Sequence, residues 1–166
     1  MRTVAGPTAP KSSLTLELLL LLDGIATRIF VVLLILLLLG KPYYLTYPSG
    51  HAELEMMLLL CHAAAQNARS WLGTSGNKTE HATLMAIFLA ATAWSVFVAG
   101  YFWKLQTKGL RVESVLAAGM VGLSAVEALV AVLVGLTFCK QAGEFVKVFL
   151  GFALSAVAII GVVLLI

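Results

Sequence analysis

The chain has 166 residues, 61% of them hydrophobic and 11% charged, with a formal net charge of +3. Eleven basic and eight acidic side chains cannot cover the exterior of a water-soluble fold of this length, and a mean hydropathy of +1.01 points the same way. A soluble domain is excluded. The basic residues are scattered over short segments, which implies no nucleic-acid partner. No strand-length alternation of polar and apolar residues occurs, so a β-barrel is not expected. In lipid the backbone must then close its hydrogen bonds within helices.

Met1 to Ser13 is polar, with Arg2, Pro7, Pro10 and Lys11, and reads as a flexible tail. The apolar run that follows continues to Leu39, too long for a signal-peptide core, and Gly40-Lys-Pro42 is no cleavage site. A bilayer core of about 30 Å needs about 20 helical residues. The first span is therefore expected at 16–39, with Ile29 to Leu39 uninterruptedly apolar and with Asp23 and Arg28 inside it. Gly40 to Gly50, with two prolines and three tyrosines, reads as a turn at headgroup level. The second helix is expected at 51–72 and the polar segment Gly73 to Glu80 as the turn that ends it. The third span is expected at 81–105, with Tyr101, Phe102 and Trp103 as an interfacial belt. After the turn Gln106 to Arg111 comes a fourth span at 112–138. Cys139 to Glu144 is a hinge, and Phe145 to Ile166, with Lys147 near its start, is long enough for a fifth span. The predicted fold is an all-α polytopic membrane protein. It comprises a tail (1–13), an antiparallel four-helix transmembrane bundle (14–138), and a hinge with a fifth C-terminal helix (139–166).

Charge does not orient this bundle. With the N-terminus inside, Arg2, Lys11, Arg69, Lys78 and Lys140 would face Lys41, Lys104, Lys108 and Arg111 across the membrane, which decides nothing. Asn77-Lys-Thr79 is a glycosylation sequon, read as a chance match because membrane ends flank it closely. Cys61 and Cys139 form neither a metal set nor a disulfide framework. Cys61 is expected to pack as a small hydrophobe, and Cys139, beside Lys140, is a candidate for reversible acylation, with chance placement the competing reading for both. His51, His62 and His81 lack ligand spacing. No phosphate loop, nucleophile elbow or paired-carboxylate motif is present, so the expectation is a non-enzyme with no cofactor, no metal and no small-molecule substrate.

Charges inside spans are expensive, about 2.5–3.5 kcal/mol each on insertion scales, so they mark whatever mechanism exists. Glu55, His62, Gln66 and Arg69 fall within about 60° of arc on the second helix, opposite Leu60 and Ala64. The fourth span carries Glu127, and the first carries Asp23 and Arg28. Antiparallel neighbours would bring these groups to similar depth. Three readings compete: a transport path, a set of polar contacts that docks the helices, or a second helix partly outside the hydrocarbon. The lack of inverted repeats or Pro-broken spans favours docking. Small-residue pairs agree, namely Ala118 with Gly122, Ser124 with Ala128 and Gly151 with Ser155. The expected pairing sets Glu127 against Arg69 or Arg28, or against Gln66.

Several segments resemble one family. They are Lys11-Ser-Ser-Leu-Thr-Leu-Glu17, Asp23-Gly24, Tyr47-Pro48, the turn Leu72 to Glu80, Leu105-Gln-Thr107 with Leu110 to Glu113, and Ser124 to Glu127. Together they are similar to the transmembrane-17-type tetraspan proteins over about Lys11 to Phe138. The resemblance implies four spans with both termini cytoplasmic, from which a fifth span departs. It also implies a structural component of the ciliary transition zone, within the Meckel–Joubert module, which gates the passage of membrane proteins into cilia and supports ciliogenesis. Its partners would be other transmembrane proteins of that complex, through lateral helix contacts, and membrane lipids. The alternatives are a small channel or transporter-like subunit using the polar stripe, or an accessory subunit of another organellar membrane complex.

Overall fold

The computed structural model describes residues 11–46, 48–140 and 142–164, which form α1 (Leu14–Tyr44), α2 (His51–Lys78), α3 (Ala82–Gly100), α4 (Arg111–Phe138) and α5 (Ala142–Leu164). A π-helical turn, Tyr101–Leu105, continues α3. Among the described residues there is no strand. The protein is an all-α polytopic membrane protein. The first ten residues of the expected tail, Tyr47 of the loop, Gln141 of the hinge and the last two residues of the expected fifth span lie outside the described residues.

Helices α1 to α4 close into a ring, each antiparallel to its neighbours. The pairs that meet are Thr27 with Gln66, Arg69 with Thr92, Met85 with Gly135, and Lys41 with Glu113. Helix α5 lies outside this ring, antiparallel to α4 and parallel to α3. Val148 meets Gly135, Gly151 meets Ala86, Ser155 donates to the Leu89 carbonyl, and Val162 closes on Gly100. Five consecutive helices leave Leu14 and Leu164 at opposite ends of the bundle. A tetraspan chain would bring the two ends together.

By length and composition α1, α3 with its π turn, α4 and α5 can each cross a membrane. Helix α2 fails that measure because of Glu55, His62, Gln66 and Arg69, yet all four side chains are buried. Its outward face is Leu54, Met57, Leu60 and Trp71, which suits lipid. The stripe that makes α2 polar as a sequence is turned inward.

Several helix ends and one aromatic differ from expectation, and α5 already begins at Ala142, inside the expected hinge. Helix α1 runs to Tyr44, past Leu39 and through Pro42, because its buried row, Phe30, Leu34 and Leu38, continues into Lys41. Proline there removes one intrahelical bond at the frayed end, where the loss is smallest. Helix α2 runs to Lys78, so the expected turn at 73–80 is mostly helix. Gly73 lets Leu20 and Phe88 approach: a Cβ there would stand 2.7 Å from Leu20 Cδ2 and 2.9 Å from Phe88 Cδ2. Phe102 does not join an interfacial belt. It is buried edge-on against Phe30, with centroids 6.2 Å apart, while Tyr43 and Tyr44 are the exposed aromatics at that end.

The buried rows of α1 (Leu16, Leu20, Asp23, Thr27, Phe30, Leu34) and α2 (Glu55, Leu59, His62, Gln66, Arg69, Gly73) alternate steps of four and three. That is the period of helices packed in a left-handed bundle. Along the axis the interior is layered. One apolar cluster gathers Leu16, Leu20, Met85, Phe88, Ala131 and Phe138. A second gathers Phe30, Leu34, Leu59, Val96, Phe102 and Ala117. Asp23, Thr27, Gln66, Arg69, Thr92 and Glu127 meet between them.

Candidate functional site

Arg69 sits at the centre of that middle layer, 1% exposed. Its Nη2 donates to Oδ2 of Asp23 on α1, and its Nη1 donates to Oε2 of Glu127 on α4 at 2.5 Å. Nη1 also reaches the Thr92 hydroxyl on α3 at 3.4 Å, and Nε donates to Oε1 of Gln66, one turn back, at 2.6 Å. The Gln66 amide nitrogen in turn donates to the Thr27 hydroxyl at 3.1 Å. The guanidinium also stands over the Phe88 ring, 5.4 Å from its centroid. One side chain thus touches all four helices of the ring. Arginine suits this position because its planar fork presents five donors in fixed directions and keeps its charge. Two acceptor atoms, Oδ1 of Asp23 and Oε1 of Glu127, have no partner among the described residues.

Depth explains the meeting. Asp23 lies about 13 Å from the start of α1 and Arg69 about 13 Å from the end of α2, with Glu127 about 16 Å from the end of α4 at 1.5 Å per residue. Measured from a helix ending at Leu72, Arg69 would sit too shallow. The extra turns to Lys78 bring it level.

A second buried pair lies at one end of the bundle, where α1 ends and α4 begins. Lys41 Nζ is 2.5 Å from Oε2 of Glu113, both side chains nearly inaccessible. The Gln106 carboxamide completes it when oriented to satisfy both partners, accepting from Lys41 at 2.7 Å and donating to Glu113 at 3.2 Å. Glu113 also accepts the Leu110 N–H at 2.9 Å, which starts α4. Nearby, Glu55 accepts the Thr107 N–H at 2.9 Å and the Tyr101 hydroxyl at 3.3 Å, so the α3–α4 connection is held at both edges.

Of the expected cluster, Asp23, Gln66, Arg69 and Glu127 come together. Glu55 is displaced to the Lys41 end, because the stripe on α2 is longer than one polar layer. His62 is fully buried between the two, packed edge-on to Phe30 at 6.3 Å, and neither ring nitrogen has a partner among the described residues. Arg28 departs from expectation: it is exposed on the outer face of α1, one step beyond buried Thr27, and does not pair with Glu127. Lys41, Glu113, Thr27 and Thr92 were not singled out from the sequence. The row of α1 carried past Leu38 would have found Lys41, since it continues the same face.

The candidate acylation residue, Cys139, is half-buried and its Sγ lies 3.3 Å from the Gly135 carbonyl. Burial first, then the Glu144 carboxylate, push its thiol above the ordinary range. Asn77, the sequon asparagine, is 2% exposed. Its amide accepts the Ser13 N–H and donates to the Ser13 carbonyl, both at 2.9 Å, so it closes the start of α1 onto the end of α2.

These features define a polytopic helical membrane protein whose buried charges join its own helices. The chain belongs to the Transmemb_17 family, described as predicted membrane proteins, whose model matches residues 18–124. It is 31% identical over 130 residues to transmembrane protein 216 of Rattus norvegicus, covering 78% of this chain and 92% of that protein. The Homo sapiens protein of the same name is 31% identical over 105 residues, 63% of this chain and 72% of the relative. The Danio rerio one is 31% identical over 107 residues, 64% and 67% respectively. No solved structure matches. The family match stops short of Glu127 and α5.

Proposed function

We propose that this protein is a non-catalytic scaffold of the ciliary transition zone. It contributes to the gate that controls passage of membrane proteins into cilia, and to ciliogenesis. Family membership and the resemblance described above support this reading. The observation that carries the non-catalytic part is Arg69. The intramembrane acids that a transport path would use are engaged with its guanidinium, between two apolar layers. Ionisable groups at such depth serve either conduction or docking, and here each carboxylate contacts the one cation that joins the helices. The connections between helices are short, leaving lateral contact with other transmembrane proteins of the complex, and with lipid, as the mode of action. No cofactor, small-molecule substrate or nucleic acid has a part in it.

The test is the location of a fluorescently tagged full-length chain in a ciliated cell. Confinement of the signal to the ciliary base is expected. A broad endoplasmic-reticulum or mitochondrial pattern would overturn the transition-zone role.

A further inference from the structure

Arg28 places a guanidinium on the outside of the bundle at mid-depth. It lies about 21 Å along α1 from Leu14 and about 24 Å from Tyr44, at 1.5 Å per residue. Its side chain is exposed, and among the described residues nothing forms an ion pair with it. Both ends of α1 are therefore more than about 20 Å away along the axis, so the charge stands far from the polar ends of its own helix. An unpaired cation at this depth is costly, so such residues are kept where a partner meets them.

The surface beside Arg28 is shaped for a partner. A groove of about 470 Å³ opens between α1 and α2, running from Glu17 and Thr74 near one membrane face to Arg28 and Ala63. Asn67, Ser70 and Thr74 line its α2 wall at spacings that share one helical face. On the α1 wall, Gly24 borders open space, since a Cβ added there would meet nothing within 4 Å. Small and weakly polar residues at such a seam let two helix backbones approach closely and exchange hydrogen bonds.

We propose that this groove receives a transmembrane helix of a different protein, and that an Asp or Glu at mid-depth on that helix pairs with Arg28. A second copy of the chain does not supply that carboxylate. Of the eight acidic residues, Asp23 and Glu127 are buried on Arg69, and Glu113 is buried on Lys41. Glu55 is buried near the start of α2, and Glu17, Glu53, Glu80 and Glu144 stand at helix ends. A copy inserted in the same orientation keeps each of these at its own depth, away from Arg28. A lipid phosphate is held at the interface by its own hydration. The inference rests on the scaffold reading only for its lateral mode of association.

The experiment uses the full chain in ciliated cells, with a photo-crosslinking amino acid at Ile25 in the groove or, as a control, at exposed Val157 on α5. The adducts are mapped by mass spectrometry. The expected result is an Ile25 adduct with a foreign transmembrane segment bearing Asp or Glu near its middle. Arg28→Leu should lower the adduct yield by at least about tenfold, the change expected from losing 1.4 kcal/mol of association. Arg28→Glu should abolish the adduct, and an Arg in place of the partner's carboxylate should restore it. Adducts with lipid only, with a segment lacking a mid-span carboxylate, or with a tagged second copy would each overturn the proposal. So would a lower melting temperature of Arg28→Leu, since that would place the arginine's partner within the bundle. Localisation is scored separately. A correct adduct away from the ciliary base removes the transition-zone role and leaves the groove assignment standing; lipid-only adducts at the ciliary base do the reverse.

Discussion

Arg69 and Glu127, 58 residues apart in the chain, meet at 2.5 Å between helices that do not adjoin in sequence. With Asp23 on the other side of the guanidinium, this fixes the order of α1, α2 and α4 around the bundle. Apolar packing alone does not choose that order in a bilayer, because lipid tails are as apolar as the helix faces. The single cation answers two acids from different helices, so an arrangement that separates any of the three leaves a charge unpaired. That penalty makes the cluster a device for specificity in helix docking.

Glu127→Leu tests the docking role. Removing one partner leaves Arg69 held by Asp23, Gln66 and Thr92, so insertion should be unaffected. Polar contacts between membrane helices average about 0.6 kcal/mol and reach about 1.7. The variant should therefore reach the membrane in normal amount, melt a few degrees lower and co-purify less with its partners. Normal melting and co-purification would show that the contact is dispensable. Loss of an ion flux with assembly intact would point to transport instead.

Gly151→Ala tests how α5 is seated. The added Cβ would lie 2.6 Å from the Ala86 carbonyl oxygen and 3.1 Å from Leu89 Cβ, so backbone must move. Overpacking of this kind costs about 1–3 kcal/mol. A cysteine pair placed across α3 and α5 should crosslink less in the variant. Gly24→Ala, where the new carbon meets nothing within 4 Å, is the matched control and should leave crosslinking unchanged. Equal yields in both variants would remove α5 from its place against α3.

Asn77 should stay unglycosylated in cells. Its side-chain amide is 2% exposed and bonded to Ser13, so a transferase meets no free amide in the folded chain. Asn77→Gln should show no glycosidase-sensitive change in mobility. A shift that vanishes in this variant would mean that the start of α1 is open at the time of modification.

Cys139 gives a pH-dependent readout. Its thiol is raised, first by burial and then by Glu144. The thiolate fraction at neutral pH is then smaller than that of a free thiol, and the thiolate is the reactive form. In a Cys61→Ser background, maleimide labelling in native membranes should be slower at neutral pH than after denaturation, with the gap narrowing as pH rises. Glu144→Gln removes the negative charge, lowers the thiol toward its ordinary range and should speed labelling. An unchanged or slower rate would contradict the assigned cause.

Helix number and polarity were legible in the sequence because composition leaves no other solvent than lipid and because Asp23, Arg69 and Glu127 stand out against apolar runs. The arc shared by Glu55, His62, Gln66 and Arg69 predicts one buried face of α2, and that face is buried. Helix ends were not legible. Gly73 and Gly76 read as a turn, but they are small because Leu20 and Phe88 crowd the first and the start of α3 crowds the second, and only the neighbours reveal this. Lys41, between Gly40 and Pro42, reads as a loop residue; its burial depends on Glu113, 72 residues away. The difference between Arg28 and Arg69 was hidden for the same reason. Spacing within one helix does not say which face its neighbours will cover.

The most direct measurement compares the melting temperature of the purified protein in Arg69→Leu and in the triple variant Asp23→Leu, Arg69→Leu, Glu127→Leu. Taking away the cation alone leaves two buried carboxylates without a counter-charge, a loss of about 3–5 kcal/mol for buried pairs. Replacing the whole cluster by apolar side chains removes the unpaired charge and is often neutral or stabilising. The single variant should therefore melt far below the parent, and the triple variant should recover most of that loss. An Arg69→Leu protein as stable as the parent, or a triple variant as unstable as the single one, would contradict a buried ion cluster that holds the four helices together.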